Sequence, residues 1–162
     1  IAFVGWFVDR KGSLRVSKAI EGISEKDVYS IFIGEGPEEP NNPNILFKGK
    51  VTHNDVPLYL NAADVFVLPT LLEGCCNAVV EAMACGLPII SSNLPFNWDV
   101  LNMDNSIMVD PLNVEEIKQA IIKLRDDVQL RLAMSCAALE KAKELTIQER
   151  ARKILSFMQQ RM

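Results

Sequence analysis

Two glutamates, Glu73 and Glu81, lie with seven residues between them in LPTLLEGCCNAVVEAMACG, the stretch from Leu68 to Gly86. A carboxylate accepts paired hydrogen bonds from neighbouring hydroxyls, so two at this spacing suit a sugar and a ribose flanking a phosphate. Acidic residues are also favoured near any helix N-terminus by its dipole, so the pair alone leaves a purely structural role open. Lys11, in Lys11-Gly12-Ser13, is a cation at the mouth of another expected helix, where it could neutralise a diphosphate. His53 is the single histidine, and a lone loop histidine is more often an exposed residue or cap than a catalyst. The four cysteines are Cys75, Cys76, Cys85 and Cys136; an adjacent pair lacks the gap of a zinc knuckle, which argues against a metal site. Neither a Walker A loop nor a GxGxxG fingerprint is present.

These residues need a scaffold that presents them together. Short apolar runs are expected as strands over Ala2–Val4, Val28–Ile33, Ile45–Lys48, Val65–Leu68, Pro88–Ser91 and Ile107–Val109. Helical patterns fall between them at Leu14–Glu21, Val56–Asn61 and Asn77–Cys85, and weakly at Asn97–Leu101. The alternation predicts an α/β, Rossmann-like three-layer domain: a six-stranded parallel sheet with helices on both faces, followed by C-terminal helices. Continuous rather than alternating apolar runs agree with strands buried on both faces. Ligands of such sheets sit beyond the carboxyl ends of the strands.

Strand, glycine-containing loop and helix follow one another through Val65–Leu68, Glu73-Gly74 and Asn77–Cys85. That order aims helix amides and a positive helix end at an anion. Asn77 is the expected N-cap there, and Ser13 that of the first helix. After Val114 the chain is helical. Ile117, Ala120, Ile121 and Leu124 form one apolar stripe, and Leu130, Ala133, Met134 and Ala137 a second. A last helix carries Ile147, Ala151, Ile154, Leu155 and Met158 on one face.

With 162 residues the chain is expected to form one domain (1–162), and 49% hydrophobic with 23% charged residues describes a soluble globular protein. A net charge of −4 argues against a nucleic-acid binder. No segment reads as a signal peptide or transmembrane span, so reduced thiols and a cytoplasmic location are expected. A start inside a strand at Ile1, without an initiator methionine, reads as a piece of a longer protein.

The letters Ala63-Asp64-Val65-Phe66-Val67-Leu68-Pro69-Thr70, Glu73-Gly74, Asn77 and Glu81-Ala82-Met83-Ala84-Cys85-Gly86-Leu87-Pro88-Ile89-Ile90-Ser91 closely resemble the C-terminal domain of glycosyltransferase family 4. Members are retaining, nucleotide-sugar-dependent transferases of GT-B fold. The resemblance implies that this chain is the donor-nucleotide-binding half of such an enzyme, and that the N-terminal acceptor domain is absent from it. It implies transfer of a sugar from a nucleoside diphosphate sugar to a glycan or lipid-linked acceptor, with no cofactor and no essential metal. Glu73 would lie beside the donor sugar as the catalytic-site carboxylate, and Glu81 would bind the ribose hydroxyls. Lys11, near Gly5, would contact the diphosphate, together with backbone amides of Gly74, Cys75, Cys76, Asn77 and Ala78. The base would rest beside backbone groups of Val51. Peripheral attachment of the full protein to the inner face of a membrane is compatible with the resemblance.

Two departures stand out. Cys75 and Cys76 occupy places usually held by an aromatic and a small residue. Trp6 replaces the arginine that usually follows the glycine, and Arg10 stands where an acidic residue is usual. Trp6 is expected to stack on a sugar with Arg10 turned toward the phosphate, or else to lid the core beside Phe7. A catalytically silent nucleotide-binding module and a sugar-nucleotide epimerase are the rival readings.

Overall fold

The computed structural model describes residues 1–23, 28–74 and 76–161. Six strands are present: β1 (Ala2–Val4), β2 (Ser30–Ile33), β3 (Ile45–Gly49), β4 (Phe66–Leu68), β5 (Ile89–Ser92) and β6 (Ser106–Val109). The helices are α1 (Ser13–Glu21), α2 (Val56–Leu60), α3 (Asn77–Ala84), α4 (Val114–Asp126), α5 (Val128–Lys143) and α6 (Ile147–Gln159). Short 3-10 turns occur at Asp9–Lys11 and Pro95–Asn97, the second in place of the helix expected over Asn97–Leu101.

All strands pair in parallel, in the order β3-β2-β1-β4-β5-β6. This is the expected Rossmann-like sheet. Its central strands β1 and β4 carry fully buried Ala2, Phe3, Phe66, Val67 and Leu68, which is why their sequences do not alternate. Phe3 and Phe32 stack across β1 and β2 with ring centroids 4.8 Å apart, and Phe7 closes the same cluster. Helices pack against this sheet in two pairs, α1 with α4 and α3 with α5. Chain direction reverses its progress between β1 and β4, so the loops after those two strands diverge and leave a crevice.

Three local expectations are corrected. Gly12, at φ +83°, caps α1, and the Ser13 hydroxyl donates instead to the Glu38 carbonyl at 3.0 Å. Cys76 rather than Asn77 is the N-cap of α3, and its carbonyl accepts from Val79 and Val80 at 3.1 and 3.2 Å. The buried stripe of α5 is Met134, Ala138 and Ala142, whereas Ala133 is exposed. Packing on α3 selects that face of a helix with little amphipathicity of its own. Asn113 caps α4, accepting from the Glu115 and Glu116 amides at 3.1 and 3.2 Å. No residue of α6 is buried, and Ile154, Leu155 and Phe157 are exposed. Among the described residues no helix is long and apolar enough to cross a membrane.

At the crevice, β1 and β2 continue as paired backbone past their ends. Gly5 donates to Ile33 at 3.0 Å and Gly34 to Gly49 at 2.9 Å. Gly34 sits at φ +136°, and a Cβ there would lie 1.9 Å from the Gly5 carbonyl oxygen. Gly34→Ala is therefore expected to cost about 2–4 kcal/mol, combining backbone strain with an overlap that only a backbone shift relieves. Gly74, with nothing within 4 Å of such a Cβ, serves as the comparison. Equal melting temperatures for Gly34→Ala and Gly74→Ala would contradict this reading of the crevice floor.

Candidate functional site

The loops after β1 and β4 are stitched together. Leu71 donates its amide to the Arg10 carbonyl at 2.8 Å, and a Cβ on Gly12 would meet Pro69 at 2.9 Å. Thr70 is fully buried and was not singled out in the sequence. Its hydroxyl lies 3.2 Å from the Arg10 carbonyl and 3.0 Å from Glu73 Oε1. Ser91 and Ser92 of β5 tie the far side, donating to the Leu68 and Thr70 carbonyls, and Asn97 donates to the Ser92 carbonyl at 2.7 Å.

Glu73 is the focus of this network. Lys11 forms an ion pair with its Oε1, and both side chains are largely withdrawn from solvent, at 15% and 11% exposure. The Arg10 guanidinium lies 3.6 Å from the same oxygen and donates to the Leu72 carbonyl at 2.6 Å. One carboxylate thus faces two cations. The stem of Lys11 runs beside Gly5, where a Cβ would lie 3.7 Å from its Cδ.

The mouth of α3 opens beside this pair. Gly74 and Cys76 line a cleft of about 380 Å³ together with Phe96, Asp99, Lys141 and Arg150. Asn77 and Ala78 are the first helical residues, at the positive end of the helix dipole. Cys75 lies outside the described residues. Lys141 and Arg150 come from the end of α5 and the start of α6, and nothing near α3 in the sequence announces them.

Glu81 sits one turn into α3, away from Lys11. His53 Nδ1 is 3.7 Å from its Oε1, with the imidazole 82% exposed and the carboxylate 27%. Burial pushes the Glu81 carboxyl above the usual carboxylate range, against a smaller downward pull from His53. Burial and the Glu81 charge also raise the Cys85 thiol. His53 follows Val51, so Glu81 is linked to the loop after β3, while Glu73 is linked to the loop after β1. The two carboxylates therefore occupy different surroundings on either side of the helix mouth.

A family model described as glycosyl transferases group 1 matches residues 1–127. The chain belongs to that family. This group 1 glycosyl transferase chain is 27% identical over 152 residues to the GDP-mannose-dependent alpha-mannosyltransferase of Corynebacterium glutamicum, covering 90% of the chain and 36% of that relative. Its fold is shared with sucrose-phosphate synthase of Thermosynechococcus elongatus, at a TM-score of 0.84 and 21% identity, over 98% of this chain and 44% of that one. It is shared equally with Anabaena Alr3699/HepE in complex with UDP and glucose, at a TM-score of 0.82 and 18% identity, over 96% of this chain and 47% of that one. The group 1 chain thus spans less than half of each of these proteins.

The Glu81 environment has a measurable consequence. A carboxyl that holds its proton more tightly folded than unfolded favours folding at pH below the ordinary carboxylate range. That advantage is lost as pH rises through the raised folded value. Glu81→Gln removes the loss. Its melting temperature is expected to gain on that of the unaltered protein as pH rises from the ordinary carboxylate range through the raised folded value. A difference that stays constant over this window would contradict the assignment.

Proposed function

We propose that the chain is the donor-binding, C-terminal half of a retaining glycosyltransferase of family 4, with its acceptor-binding domain outside this sequence. The observation that carries the reading is the Lys11–Glu73 pair beside the mouth of α3, at the crevice between β1 and β4. Breaking the bond between the anomeric carbon and the diphosphate leaves its electron pair on a phosphate oxygen. Negative charge grows there as the reaction proceeds. Lys11, with Arg10 as a second cation, and the amides of Gly74, Cys76, Asn77 and Ala78 take up that charge. Fixed donors of this kind need no reorganisation at the moment of bond breaking. Glu73 accepts from hydroxyls of the donor sugar, and Glu81 from the ribose, with the base beside Val51.

On this reading the site uses neither a metal nor another cofactor, because lysine and helix amides supply the positive charge. The Corynebacterium relative is named for GDP-mannose and the Anabaena structure holds UDP and glucose, which supports a nucleoside diphosphate sugar without selecting its base. The acceptor is a glycan or lipid-linked sugar bound by the other domain, and the protein works in the cytoplasm or at the inner face of the membrane. This half alone binds donor without turning it over.

Calorimetric titration with UDP, GDP and ADP tests the site. Lys11→Ala removes a charge-assisted contact of about 1.5–3 kcal/mol, so binding of the preferred nucleotide should weaken roughly 10- to 100-fold. Glu81→Ala should weaken nucleoside diphosphates and leave pyrophosphate unaffected. Undiminished nucleotide binding in both variants would reject the assignment.

A further inference from the structure

Trp6 is not used by the site described so far. It follows β1, yet its indole is 51% exposed, while the next residue, Phe7, is fully buried. Phe7 therefore takes the place in the aromatic cluster, and Trp6 does not lid the core. The indole instead walls a separate cleft of about 230 Å³ beyond the ends of β1, β2 and β3, with Gly5, Gly34, Glu35, Lys50 and Val51. A large exposed aromatic beside a concavity is surface that a ligand can cover.

The shape and chemistry of this cleft suit one kind of group. Gly5 and Gly34 bring backbone close together at its floor, as the 1.9 Å approach of a Cβ on Gly34 to the Gly5 oxygen shows. At its rim Lys50 Nζ and Glu35 Oε1 stand 4.0 Å apart and well exposed, one a donor and the other an acceptor. An apolar face with hydrogen-bonding groups at its edge matches a planar heteroaromatic ring. The volume is below the roughly 300–1,000 Å³ of a pocket for a whole ligand, so it fits a single moiety.

Its position gives the moiety a neighbour. Lys11 runs beside Gly5, and His53, just after Val51, reaches Glu81. A ring in this cleft would continue past Glu81 toward the mouth of α3. We propose that Trp6 is the stacking face for the nucleobase of the donor, so that it sets affinity for the nucleoside rather than for the phosphates or the transferred sugar. This rests on the donor-binding reading above.

The chain has two tryptophans, and Trp98 is an exposed residue whose indole donates to Asn93 at 3.1 Å. Trp98→Phe leaves Trp6 as the single indole reporter. In that background UDP or GDP is expected to quench the fluorescence. Trp6→Leu should weaken binding of the preferred nucleoside diphosphate about tenfold, the scale of one lost base stack, while pyrophosphate affinity and melting temperature stay unchanged. Trp6→Phe should recover most of the loss. An equal loss for pyrophosphate, a loss seen only when the sugar is attached, or no loss at all would overturn the role of Trp6. Failure of the unaltered protein to bind any nucleoside diphosphate or pyrophosphate would overturn the donor-binding reading itself.

Discussion

Much of this structure depends on a single ion pair that bridges the reversal point of the sheet. Lys11 reaches Glu73 from the loop of the other central strand, and the pair is almost withdrawn from water. Around it the backbone is drawn tight by Leu71 on Arg10, by Gly12 against Pro69, and by the buried Thr70 hydroxyl. A parallel sheet whose order reverses between β1 and β4 has to open a crevice there. These contacts hold the crevice at one width and fix the start of α3 on its edge.

Charge is distributed unevenly along that edge. Glu73 is flanked by Lys11 and Arg10, whereas Glu81 has an exposed histidine beside it and a carboxyl held above its usual range by burial. One acid is thus paired with cations, and the other stands where hydroxyl donors can replace lost water. This asymmetry gives the two glutamates separate tasks in the proposed chemistry. On the cationic side Arg10 stands 3.6 Å from Glu73, and Trp6 walls the neighbouring cleft.

The sequence showed the sheet and its central loops clearly, because buried parallel strands must be continuously apolar and β4 reads so without interruption. It also showed Lys11 and Glu73 as polar residues in loops after such strands, and Glu81 inside the helix that follows. The caps were harder. Ser13 and Asn77 have the right chemistry, yet a glycine in the left-handed region and Cys76 took those positions once Ser13 found the Glu38 carbonyl. The apolar face of α5 was misplaced because α3, distant in sequence, decides which residues are covered. For the same reason the partnership of His53 with Glu81, the clustering of Lys141 and Arg150 near Gly74, and the cleft beside Trp6 became visible only in three dimensions. Membership of the glycosyl transferases group 1 family agrees with the resemblance carried by the residues from Ala63 to Ser91.

The most direct measurement is a backbone amide NMR titration of the protein with UDP and GDP. The largest shifts are expected on Gly12, Gly74, Asn77 and Ala78, with the Val51 amide shifting in response to the nucleoside. Shifts confined to the far wall of the larger cleft, around Phe96 and Lys141, with the α3 amides unmoved, would contradict the donor-binding site.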